Sequence, residues 1–242
     1  AAGCMACGFS HVMEVNAMPK KTEPKDTQST QPEQVKQVHI SDIHPFKNHP
    51  FKVVDDALMQ ETVDSIMQFG VLNPTIIRPD PGGGYEMVAG HRRLHASGLA
   101  GKDTIPAIVR NLTDDEAVIL LVDTNLQREN ISPMERAQAY KMKMEALKHQ
   151  GQRTDLTSTQ VGRKLETAEI IAQQTGESKN QVRRFVRLTE LVPELQTMVD
   201  KNELAFNPAV ELSYLKPEEQ KGVLDAMEYS QNTPSLSQAQ RL

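Results

Sequence analysis

The chain has 242 residues, a formal charge of −5 and only two cysteines, Cys4 and Cys7, at its extreme N-terminus. That charge excludes a protein that coats nucleic acid indiscriminately, and the cysteine count excludes a disulfide framework for the body of the chain, so a reducing, cytosolic setting is expected. With 38% hydrophobic residues and no Trp the cores must be mainly aliphatic, and no apolar run is long enough to cross a bilayer.

Residues 1–34 are rich in Lys, Thr, Gln, Pro and Ser from Pro19 onward and read as a disordered tail. The tail has no basic segment before an apolar core, so it is not a secretion signal. Cys4-x-x-Cys7 lacks a second ligand pair at zinc spacing and reads as incidental. Order is expected from "VKQVHISDIHPF". Asp56 to Phe69 repeats apolar residues at Leu58, Val63, Ile66 and Met67 before Gly70, the pattern of an amphipathic helix with a glycine stop. "PTIIRPD", "YEMVA" and "IPAIVRN" read as strands, and "PDPGGG" as a turn. Gly90 breaks the second of these strands, and His91 to Leu99 then takes helical spacing with Arg92 and Arg93 in its first turn. A helix N-terminus offers unpaired N–H groups and partial positive charge. A glycine lets an anion approach the backbone, and arginine forks can clamp it.

From Leu112 the pattern becomes helix after helix. Thr113-x-x-Glu116 is a capping box opening "DDEAVILLVDTN", and Ser132-Pro133-Met134-Glu135 is another, with Pro in the first turn. The second helix is expected to end at Gly151, with "GQRTDLTSTQVGRK" a loop or insertion. Between the two helices lies "TNLQREN", where Asn125, Gln127 and Arg128 are polar groups at a helix break. "AEIIAQQTGESKNQVRRFVR", residues 168–187, has the requirements of a helix-turn-helix: Ala172 where backbones approach, Gly176 at the turn, and Val182 and Phe185 packing back. Ser178-x-x-Gln181 caps its second helix. Ser178, Lys179, Asn180, Arg183, Arg184 and Arg187 then form an outward face with donors for base edges and cations for phosphates. An acidic chain with one basic helix is expected to read a site. The fold class is α+β: a disordered tail (1–34), a small α/β domain (35–130) and an all-α domain (131–242).

In order and register, "GVLNPTIIRP", "YEMVAGHRRLHASGLAG", "TNLQRENISPMERAQAY" and the helix-turn-helix ending "RLTELVPELQTMV" resemble the ParB family of DNA-partition proteins over about residues 35–224. The resemblance implies an N-terminal domain that binds CTP. Gly90, His91, Arg92 and Arg93 would form one phosphate segment and Asn125, Gln127 and Arg128 the other, around a magnesium ion. It implies a helix-turn-helix reading palindromic double-stranded DNA as a homodimer, closure of that dimer into a sliding clamp by the nucleotide, a ParA-type ATPase partner, and a place in the cytoplasm on nucleoid or plasmid. The family's separate C-terminal dimerisation domain has no room after "SLSQAQRL", so a truncated chain is expected.

The sequence departs from the family at three points. His91 stands where an acidic residue usually follows the glycine, Thr124 where a Glu usually precedes the Asn, and Pro50-Phe51 where "PR" is usual. The two acids help hold the metal in family members, which leaves Asn125 as the matching metal ligand; magnesium favours oxygen ligands. Nucleotide binding is therefore expected ahead of hydrolysis, which would be at most a weak CTPase activity.

Other readings are weaker. His91 and His95, four apart on a helix, lack a third metal ligand. His39, His44 and His49 recur at a spacing that matches neither helix nor strand and read as chance. "AGHRRLHA" is similar to sulfiredoxin, but no cysteine lies near. A ParB-fold phosphotransferase or nuclease lacks a general base beside the arginines. A transcriptional regulator or nucleoid-associated factor of a mobile element, with a degenerate nucleotide domain, is the alternative function.

Overall fold

The computed structural model describes residues 34–128, 130–154 and 166–241. The expected disordered tail, Cys4 and Cys7, and most of the expected loop between 151 and 164 lie outside the described residues.

Five strands form one mixed sheet in the order β1-β5-β3-β4-β2. Strands β1 (Val35–His39) and β2 (Ile43–His44) are joined by a short 3-10 turn, β3 is Thr75–Pro79, β4 is Tyr85–Ala89 and β5 is Thr104–Val109. β1 runs antiparallel to β5 and β3 antiparallel to β4, while β3 runs parallel to β5 and β2 parallel to β4. Ile77, Met87, Ile105 and Ala107 are completely buried on the sheet. Alternation along β5, where Ile105 and Ala107 are buried between half-buried neighbours, is the period-2 pattern of a sheet covered more fully on one face.

Helix α1 (Ala57–Phe69) is capped by Asp56, whose carboxylate accepts from the Met59 N–H at 2.8 Å, and ends at Gly70. The face it buries differs from the one expected: Met59, Val63 and Ile66 are buried, whereas Leu58 and Met67 are exposed. Together with Ala96 of helix α2 (His91–Leu99), these side chains make a small separate cluster.

Helix α3 (Asp114–Leu126) starts with the expected capping box, Thr113 and Glu116 bonding each other's backbone. Helix α4 (Pro133–Thr154) starts with the Ser132–Glu135 box, both bonds at 3.2 Å. It does not stop at Gly151 but continues to Thr154, because one glycine in a helix costs only about 1 kcal/mol and does not by itself break it. Ala117, Leu121 and Val122 of α3 pack with Val88 of β4, Phe51 and Ala139 of α4. The other side of α4 places Met134, Ala137 and Tyr140 in the larger core of the helical part.

That larger core is built by α5 (Thr167–Thr175), α6 (Lys179–Leu188), α7 (Pro193–Asp200), α8 (Phe206–Leu212), α9 (Pro217–Ser230) and α10 (Leu236–Ala239). Ile171, Val182, Leu188 and Leu195 are wholly buried there, each worth about 1.5–3 kcal/mol relative to exposure. Among the described residues, no helix is long and apolar enough to cross a membrane.

Candidate functional site

The first site lies where β4 turns into α2. Gly90 is the N-cap of α2 with φ 114°, a backbone conformation that residues with a side chain rarely adopt. A Cβ there would lie 2.6 Å from Thr75 Cγ2, so the turn is built around glycine for both reasons. The helix start opens beside a cleft of about 870 Å³ lined, among others, by Phe51, Lys52, Asn73, Arg92, Arg93, Arg128 and Glu135.

The arginines play different parts. Arg93 donates from Nη1 to the carbonyls of Asn73 (2.5 Å) and Pro74 (2.8 Å), and burial lowers its pKa. It thereby holds the chain entering β3 against α2. Among the described residues Arg92 reaches Asp56 alone, at 3.3 Å, an open contact that an incoming anion can replace. Asp56 has a lowered pKa, first because it accepts the Met59 N–H and then because of Arg92. Arg128 has its pKa lowered by burial and by the Arg92 charge. Three guanidinium groups around a shared hollow, the pKa of one of them lowered in part by the charge of its neighbour, make a place suited to an anion.

Asn125 is buried, donates from Nδ2 to Leu121 O at 2.7 Å, and leaves Oδ1 without a partner. Gln127 is not brought into this cleft. It lines a different hollow with Tyr140, Gln174 and Glu177, because the break after α3 turns it toward α4 and α5 while Arg128 faces α2. Thr124 spends its hydroxyl on Leu120 O and Leu121 O.

His91 is buried and its ring lies against that of His49, centroids 3.9 Å apart. Burial first, then His49 and Arg128, push its pKa down to about 3, so the imidazole is neutral. Burial likewise lowers the pKa of His49, whose Nδ1 donates to Phe51 O at 2.5 Å. The pairing of His91 with His95 considered from sequence does not form: His95 turns out to Asp55, at 2.7 Å. Of the three regularly spaced histidines, His49 is the one packed against His91. Nothing local announces this, because the two are 42 positions apart and meet only in the folded chain.

Magnesium, which the resemblance implies, fits these residues poorly. Of the three positions, Thr124 is engaged in its own helix and His91 offers nitrogen, which leaves the Asn125 oxygen as the matching hard ligand. Among the described residues there is no cluster of three or more His, Cys, Asp or Glu placed to hold a metal.

The second site is the helix pair α5–α6. Gly176 ends α5 in the left-handed region (φ 73°), and Ser178 Oγ accepts from Gln181 N–H at 3.1 Å to start α6. Ala172, Val182 and Phe185 are buried as the motif requires. The expected uniform outward face is not uniform. Asn180 and Arg183 are exposed, but Lys179, Arg184 and Arg187 are partly buried. Glu166 holds both Lys179 (2.5 Å) and Arg183. Arg184 donates to Asn207 Oδ1 at 2.6 Å and lies over Phe206. Arg187 donates to Ser213 O at 2.7 Å and stacks on Tyr214. Long cations bury their stems on neighbouring apolar surface, supplied here by Phe206 of α8 and by Tyr214 just beyond its end.

Comparison with known proteins agrees with this two-part construction. A model of the ParB N-terminal domain matches residues 24–126, and a model of the ParB HTH domain matches residues 163–233, together well over half of the chain. The chain belongs to the ParB family. It is 37% identical to the chromosome-partitioning protein Spo0J of Thermus thermophilus over 66% of this chain and 53% of that one. It is 36% identical to the stage 0 sporulation protein J of Bacillus subtilis over 68% and 52%. The chain thus spans about half the length of these ParB relatives. In fold it is similar to the C-terminally truncated ParB of Caulobacter crescentus, solved in complex with the centromeric parS site. That match has a TM-score of 0.51 and 24% identity, covering 85% of this chain and 97% of that one.

Proposed function

We propose that this ParB-family chain is a sequence-specific DNA-binding partition protein whose α/β part binds CTP. The observation that carries the nucleotide half is the convergence of Arg92, Arg93 and Arg128 on one cleft at the α2 N-terminus, with room for a triphosphate and a base. The DNA half rests on the ParB HTH match and on α6, which presents Asn180 and Arg183 on its exposed side. The partition role is supported by relatives named as chromosome-partitioning or probable chromosome-partitioning proteins, at 33–37% identity.

In this reading Gly90 and the first N–H groups of α2 receive phosphate, Arg92 leaves Asp56 to clamp it, and Arg93 keeps the β3 entry in place. Ser178, Lys179, Asn180, Arg183, Arg184 and Arg187 dock α6 on a palindromic duplex, one α6 from each copy of a homodimer. CTP would favour a closed dimer to the extent that it binds that state more tightly than the open one. A ParA-type ATPase is the proposed further partner, and nucleoid or plasmid the place of action.

The test is calorimetry of the full chain with CTP, ATP and GTP, with and without a palindromic duplex. CTP-selective binding that weakens about tenfold or more in Arg92→Ala supports the reading, since a charge-assisted clamp of that kind is worth ~1.4 kcal/mol or more. Duplex binding that ignores every nucleotide would make the chain an operator-binding regulator.

A further inference from the structure

Phe51 and Lys52 both border the cleft at the α2 N-terminus, and they do different things there. Phe51 is buried and packs with Ala117, Leu121 and Val122 of α3, whereas Lys52 is exposed. The backbone between them is held from two directions. The Phe51 carbonyl accepts from His49 Nδ1 at 2.5 Å, and the Lys52 N–H donates to Glu135 Oε1 at 2.8 Å. The second Glu135 oxygen accepts from the Ser132 N–H at 3.2 Å, so one carboxylate fastens the Lys52 backbone to the start of α4.

The head of Lys52 is not held. Among the described residues its ammonium has no hydrogen bond and no ion pair. The acids that follow it in sequence have other partners: Asp55 meets His95, and Asp56 accepts from the Met59 N–H and meets Arg92. Glu135 is engaged by its two backbone N–H groups, which leaves Glu61 as the cleft-lining carboxylate without a bond among the described residues. A pinned backbone with a free ammonium is suited to an anion whose position is not fixed in advance. Lysine is a compact point charge with three rotatable donors, so it can follow phosphate oxygens where the planar fork of an arginine cannot.

We infer that Lys52 is a phosphate-binding residue of the nucleotide cleft. It reaches the polyphosphate from the loop before α1, while Arg92 meets it from α2 and Arg128 from the break after α3. This rests on the nucleotide reading given above. His49 and Glu135 are then positioning groups, because they fix the point from which the lysine reaches.

The test is calorimetry of the full chain with CTP, comparing wild type, Lys52→Gln and Lys52→Arg across a salt series. Lys52→Gln should weaken CTP binding at least about fivefold, the size of one charge-assisted contact in a cleft open to water. Lys52→Arg keeps the charge and should lose less than about twofold. The affinity of wild type should fall more steeply with salt than that of Lys52→Gln, because the variant has one charge contact fewer to screen. Without nucleotide the three proteins should melt together, since the side chain is exposed and unbonded. CTP affinity that is equal in wild type and Lys52→Gln, an equal loss in the Gln and Arg variants, or an unchanged salt slope overturns the assignment of Lys52 and leaves the nucleotide site standing. Absence of CTP binding by the wild type overturns both.

Discussion

Thr75 and Gly90 occupy the same small space: Thr75 is wholly buried in β3, and its Cγ2 lies 2.6 Å from where a Gly90 side chain would begin. The strand that precedes the cleft and the glycine that opens it are therefore one packing unit. Gly90→Ala meets both the φ of 114° and this overlap, and it should destabilise the fold by about 2–4 kcal/mol. Adding Thr75→Ser, which removes the methyl, should recover the steric part and leave the backbone strain. Urea denaturation of the single and double variants measures the split. Equal stability of wild type and Gly90→Ala would remove the case for a glycine-only turn.

Arg92 and Arg93 are neighbours in sequence with opposite expectations. Arg93→Ala loses two charge-assisted bonds to backbone carbonyls and should cost about 1–3 kcal/mol of stability. Arg92→Ala should leave the melting transition almost unchanged, within about 0.5 kcal/mol, and lower CTP affinity. Thermal melts with and without CTP separate the two. The reverse pattern would show that the roles have been assigned the wrong way round.

Glu166 engages two of the cations expected to meet DNA. Its carboxyl is held below the usual range by the Lys179 ammonium and then by Arg183, so it stays ionised at neutral pH. Glu166→Gln frees both cations. Binding to random-sequence duplex should tighten, and the slope of log affinity against log salt should steepen by about 1–2. Anisotropy across a salt series reads this directly. An unchanged slope would mean that Lys179 and Arg183 do not approach phosphate.

Lys143 has no exposed side-chain surface, and its Nζ donates to Asp123 of α3 and Gln174 of α5, so one buried ammonium on α4 ties together helices from both parts of the chain. Asp123→Ala leaves that ammonium short of a counter-charge and should cost about 2–4 kcal/mol, less than a fully sealed pair because Asp123 still touches water. Lys143→Met keeps the stem without the charge and should be the milder change. Chemical denaturation of the two variants checks the order, and a costlier Lys143→Met would show that the ion pair itself is strongly stabilising.

Strands β3 to β5, α1 to α3, and the helix-turn-helix were legible because their signals are local: alternation, Thr and Ser caps, and glycines at Gly70, Gly90 and Gly176, whereas β1 and β2 were read only as ordered chain. Two local readings failed for identifiable reasons. Leu58 and Met67 fit the helical period of α1, but the partner surface of α2 selects the stripe through Met59, Val63 and Ile66. Gly151 resembled a helix end, yet α4 passes through it.

Residue order alone determined most of the helices and three of the strands, the Thr113, Ser132 and Ser178 caps, and that one short helix is dense in arginine, since backbone preference depends on near neighbours. Three-dimensional packing decided which of those arginines is occupied and which is available, sent Gln127 to one hollow and Arg128 to another, and set His49 against His91. Long side chains take their direction from partners tens of positions away, and those partners exist only once the sheet and helices have closed on one another.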